Sequence, residues 1–115
     1  VRYEHSQPVA KEAAESLLSK GGSDQICETL VSLALHEPDW RWVQNKCLHF
    51  LDSEDTSIAA ISATCLGHLA RIHGQLDRAE VLSALRAKLD TEGVSGTAAD
   101  AIEDILRYMP ADDGD

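Results

Sequence analysis

"PDWRWVQNKCLHF" (residues 38–50) carries both tryptophans of the chain two positions apart, in a protein whose aromatic residues are two Trp, two Tyr and one Phe. An interval of two shares one face of a strand but not of a helix. The rest of the stretch decides between them. Trp40, Val43, Cys47, Phe50 and Leu51 recur at helical spacing on one face, and Asp39 stands where an N-cap belongs. The segment therefore reads as a helix from Asp39 to Leu51, with Trp40 in the core. Trp42 leaves that stripe and aligns with Lys46 and His49 at i, i+4 and i+7. A tryptophan off the core face belongs either against an adjacent helix or against a binding partner.

Outward from this stretch, nearly every segment reads as helix. A first helix is expected from Pro8 to Lys20, ended by a left-handed residue at Gly21-Gly22. A second, capped by Ser23 or Asp24, carries Ile26, Leu30, Leu33 and Ala34 toward His36. A fourth runs from after Asp55 to His73, with Gly74 as its stop. Its stripe of Ile58, Ile61, Cys65, Leu69 and Ile72 is joined by Ala59, Ala63, Leu66 and Ala70, so it should be covered on two sides. Asp77 and Glu80 have the spacing of a capping box for a fifth helix that buries Val81, Leu82, Leu85 and Leu89. A sixth, from Thr97, carries Ala98, Ile102, Ile105 and Met109 before Pro110. No hairpin pattern for strands occurs.

Internal repetition separates a bundle from a solenoid. "LDSE" at 51–54 falls on "LDTE" at 89–92, and Ala59, Ala63 and Leu66 fall near Ala98, Ile102 and Ile105, an offset of about 38 to 39 residues. Asp39 and Asp77, each heading a helix, are separated by a similar interval. The expected fold is all-α: a HEAT-like helical-hairpin solenoid of six helices, one domain over residues 1–109, followed by an acidic disordered tail at 110–115.

The charge is −10 over 115 residues. Direct binding to nucleic-acid phosphates needs basic patches and is excluded as an expectation; a basic protein partner is favoured. Solubility alone is the plainer account of the same charge. No apolar run is long enough to cross a bilayer, and none has the form of a secretory leader. Cys27, Cys47 and Cys65, an odd number set in apolar stretches, read as free buried thiols of a cytoplasmic protein. The chain opens on Val1, as a trimmed product or part of a longer protein would.

The run "TCLGHLARIHGQLD" (64–77), followed by "VLSALRAKLDTEGVSGTAADAIEDI" (81–105), resembles small bacterial HEAT-repeat proteins. The likeness rests on the Leu66-Gly67 step, the "LARIHG" ending and the glycine–alanine–aspartate run from Gly96 to Ile105. That last run departs from the family pattern, because Thr97 and Ala98 precede the second alanine. The resemblance covers Asp24 to Met109. It implies an immunity protein of the contact-dependent growth inhibition type, which neutralises a toxin, often a nuclease with a cationic substrate groove. A HEAT-repeat scaffold or regulatory module unrelated to toxins is the other function class open to such a chain.

Catalytic chemistry is thinly represented. His5, His36, His49, His68 and His73 contain no i, i+4 pair that would place two metal ligands on one helical face, so neither metal nor cofactor is expected. Cys65 and His68 are three apart, but an apolar setting for Cys65 would make the thiol inert. Gly21-Gly22 and "EGVSG" are turns between helices and not phosphate loops. The residues expected to carry function are therefore contacts. Trp42 would be an apolar anchor with Lys46 and His49 beside it. Asp52, Glu54 and Asp55 after the third helix, and Asp90 and Glu92 after the fifth, would form an acidic ridge on one edge, about 10 Å in pitch. If helices two and three, and four and five, form the hairpins, helices three and five line the binding surface. The chain is expected to act as a monomer binding one toxin.

Overall fold

A computed structural model describes residues 8–110, all helix and connecting turn. The expected tail beyond Pro110 and His5 lie outside the described residues. In order the helices are α1 (Lys11–Lys20), α2 (Ser23–His36), α3 (Trp40–Leu51), α4 (Thr56–His68), α5 (Arg78–Arg86) and α6 (Ser95–Tyr108). A π-helical turn, Leu69–His73, prolongs α4, and Gly74 at φ 63° ends it in the left-handed region, where glycine carries no Cβ penalty.

The polar caps account for several of these boundaries. The Asp39 carboxylate accepts from the Trp42 N–H at 3.3 Å, and the Asp55 carboxylate accepts from Ser57 and Ile58 at 2.9 and 3.3 Å. Other boundaries depart from expectation. α1 starts at Lys11, because Ala10 is extended and forms its N-cap without a side-chain bond. Gly21 and Gly22 are extended, with φ of −74° and −76°. Glycine is needed at 21 for closeness instead: a Cβ there would stand 2.5 Å from the Leu17 carbonyl oxygen. The cap of α2 is Gly22, whose N–H donates to Gln25 Oε1 at 3.3 Å, and not Ser23 or Asp24. α6 begins two residues before Thr97, whose hydroxyl donates to the Val94 carbonyl.

α4 is the hub. It packs against α3, α2 and α6, so its second apolar stripe is covered as its composition requires. Ala63, Cys65, Leu66 and Leu69 are fully buried there. The remaining principal pairings, α1 with α2 and α5 with α6, make three antiparallel hairpins: α1/α2, α3/α4 and α5/α6. This corrects the expected pairing of helix two with three and four with five. The even helices form one layer, α2–α4–α6. The odd helices lie along the other, with α3 tied to α1 through Lys11–Asp39 and Lys46–Glu15 and to the head of α5 through Arg41–Asp77.

Several residues expected inside are less buried: Ile26, Phe50, Ile61, Ile102 and Met109 are only partly covered. Trp40 is half-buried against the core, with the Arg41 guanidinium 4.7 Å from its ring centroid. Leu89 lies past the end of α5 and is 41% exposed, and Ile72, turned outward by the π-helical widening, is 45% exposed.

Candidate functional site

Trp42, Lys46 and His49 share the face of α3 that looks toward α1, as their spacing requires. With Asn45 and Phe50 they form one wall of a groove of about 590 Å³, and Glu15, Leu18 and Ser19 of α1 form the other. Trp42 is half-buried, resting partly on the core and partly open to the groove. Lys46 Nζ stands 2.5 Å from Glu15 Oε1 and 5.5 Å from the Trp42 ring centroid. Lys11 Nζ, 5.2 Å from the same centroid, bonds the Asp39 carboxylate. That bond raises the Lys11 pKa and, with the Trp42 N–H, lowers that of Asp39. The His49 ring meets Phe50 edge to face at 4.9 Å. The α1 wall went unread in the sequence, although Lys11, Glu15, Leu18 and Ser19 recur at the spacing of one helical face.

The acidic loops gather at one edge. The turns within the three hairpins meet there: Lys88 Nζ lies 2.8 Å from Asp52 Oδ1, and a Cβ on Gly93 would collide with Thr56. The Ser23 hydroxyl, at the α1–α2 turn, bonds the Asp55 carboxylate and, ahead of the backbone bonds, lowers its pKa. Asp52, Glu54, Asp55, Asp90 and Glu92 are all exposed. They are not equivalent. Asp55 caps α4 and Asp52 pairs with Lys88, whereas Glu54, Asp90 and Glu92 carry no hydrogen bond or ion pair among the described residues. The groove opens toward this edge, because Ser19 precedes the α1–α2 turn and Phe50 the α3–α4 turn. The surface therefore belongs to first helices of hairpins, and not to second helices as expected.

His68, His73 and the cysteines are engaged elsewhere. His68 Nδ1 accepts from Arg71 at 2.7 Å, and burial, then the Arg71 charge, lowers its pKa. His73 Nε2 donates to the Ala34 carbonyl in the last turn of α2. Cys65 is fully buried; its hydrogen bond with Cys47, then burial, pushes its thiol pKa well up. No group of three or more His, Cys, Asp or Glu among the described residues could hold a metal ion, and no described helix is long and apolar enough to cross a membrane.

Neither a family model nor a curated protein sequence matches the chain. Among solved structures it is similar to a chain in the crystal structure of a CDI complex from Cupriavidus taiwanensis LMG 19424, at 26% identity and a TM-score of 0.85. The match covers 95% of this chain and 98% of that one. Likeness over the whole length bears out the all-helical hairpin fold and the sequence resemblance to proteins of contact-dependent growth inhibition (CDI).

Proposed function

We propose that the chain is the immunity protein of a CDI pair: a non-enzymatic antitoxin that binds a basic toxin domain, a nuclease, and covers its active site or substrate groove. The observation that carries this reading is the end-to-end likeness to a chain of a CDI complex. Its chemistry favours the inhibitor half of such a pair. A net charge of −10 suits a partner built to hold phosphates; the thiols are buried, and His68 and His73 are bonded within the fold. Trp42 is the apolar anchor, Lys46 and His49 flank it, and Asp52, Glu54, Asp55, Asp90 and Glu92 supply the electrostatic contacts. The protein acts in the cytoplasm of the cell that makes it, as a monomer on one toxin.

Co-expression with the product of the neighbouring gene, where that gene encodes a toxin domain, tests this. Cells should survive induction, and the two chains should purify together. Killing in the presence of abundant folded protein would refute the proposal.

A further inference from the structure

Two ammonium groups flank one indole, and a carboxylate holds each of them: Asp39 for Lys11 and Glu15 for Lys46. An aromatic face with a carboxylate beside it is a cation-binding set, because ring quadrupole and anion attract the same charge. Lys46 is the occupant within the groove, set between Glu15 and Trp42 with its side chain 28% exposed. Its flexible four-carbon stem can swing the ammonium into water without disturbing the helix. The groove has room for a second side chain beside it, and its His49–Phe50 end runs into the acidic edge.

We infer that this groove receives an arginine side chain of the partner, its guanidinium stacked on Trp42 and forked onto Glu15, and that Lys46 is an internal placeholder which the arginine displaces. The inference rests on the partner-binding reading above and names the chemistry that the groove recognises. Arginine fits better than lysine. Its guanidinium is flat, weakly hydrated and carries paired donors that match a carboxylate, whereas an ammonium is a hydrated point charge. The net charge of −10 favours a cationic visitor over an acidic one. Lys46 then competes with the partner and is not a contact to it.

The test needs no toxin. The full chain is titrated with acetyl-Gly-Arg-Gly-amide or its lysine counterpart, following the Trp42 indole N–H by NMR. The arginine peptide should shift that resonance more strongly than the lysine peptide. Lys46→Ala should bind the arginine peptide about three- to tenfold more tightly, and Glu15→Gln should bind it more weakly by a similar factor. Equal or weaker binding by Lys46→Ala overturns the inference. So does a saturable shift confined to residues 52–55 and 90–92, or none at Trp42 in either protein. The outcomes separate cleanly: a chain that protects cells but fails this titration loses only the arginine site, and one that binds arginine but fails to protect loses only the immunity role.

Discussion

Gln44 and Asp77, 33 residues apart, hold each other by a reciprocal pair of hydrogen bonds. The Asp77 N–H donates to Gln44 Oε1 at 2.6 Å, and Gln44 Nε2 donates to Asp77 Oδ2 at 2.8 Å. Gln44 is fully buried in α3, and Asp77 is the N-cap residue of α5. The Asp77 side chain therefore does not close the capping box that its spacing from Glu80 predicts. It faces Gln44 and Arg41 instead, which join α3 to the start of α5. Gln44→Ala would orphan the Asp77 N–H and leave a void, so a loss of about 2–4 kcal/mol is expected in urea unfolding. A loss near zero would mean that the α4–α5 turn is not anchored through this pair.

Gly67 is the second-last residue of α4, inside the helix that the π-helical turn prolongs, where isolated-helix propensity would favour alanine by about 1 kcal/mol. The fold argues the reverse. A Cβ there would stand 3.1 Å from Asp104 Oδ2 and 3.2 Å from the Ala101 Cα of α6. The carboxylate can rotate away; the α6 backbone can move only with its helix. Gly67→Ala should therefore lower stability by about 1 kcal/mol net, the overpacking exceeding the propensity gain. An increase in thermal midpoint would show that α6 slides freely on α4.

Asp39, Asp55 and Asp77 all have pKa values held below the ordinary carboxylate value, chiefly by bonds to Lys11, Ser23 and Gln44 respectively. The folded state thus binds these protons less readily than the unfolded state does. Their stabilisation is complete above the ordinary carboxylate range and is lost as pH falls through the depressed values. Melting temperature should be flat near neutrality and fall below about pH 4. Asp55→Asn keeps an oxygen for the Ser57 and Ile58 N–H groups but removes the charge. It should melt lower at neutral pH, with its curve converging on the wild-type curve in acid. Parallel curves would remove Asp55 from this account.

Cys47 and Cys65 have no exposed surface, and the Cys65 thiol is held protonated by its Cys47 bond and by burial. A thiol reagent should reach both only through unfolding, so their labelling in native buffer should match the unfolding rate and quicken with urea. Immediate labelling would mean that the α3–α4 packing opens locally.

Local chemistry was legible in the sequence at several helix ends, though not at the α2 cap. The Asp39 and Asp55 caps, the Gly74 stop and the displacement of Trp42 from the core stripe all follow from spacing. Pairings across helices did not. Asp77 and Glu80 have the pattern of a local box, and nothing near them announces a competitor in α3. The sequence match at an offset of about 38 residues relates α3/α4 to α5/α6 but does not say which neighbours form a hairpin, since short turns join α2 to α3 and α3 to α4 alike. That ambiguity hid the α1 wall of the groove. It also placed α3 in the wrong layer while leaving the grouping of Trp42, Lys46 and His49 intact.

The acidic edge can be tested without touching the fold, because its members differ in what holds them. Reversing Asp55 would remove the α4 cap, and reversing Asp52 would set a lysine against Lys88. Glu54, Asp90 and Glu92 are exposed and have no hydrogen bond or ion pair among the described residues. The triple change Glu54→Lys, Asp90→Lys and Glu92→Lys should therefore leave the melting temperature within a few degrees, about what surface substitutions cost. Three reversals alter the charge by six units, so association with a basic toxin domain should slow by about tenfold at low salt. Its salt dependence should flatten as the steering field is removed. The dissociation rate should change far less, since rim charges guide encounter more than they hold the complex. Stopped-flow association at two ionic strengths reads all three quantities. An unchanged on-rate at low salt would show that the partner approaches over another face, and the edge would revert to a solvated rim.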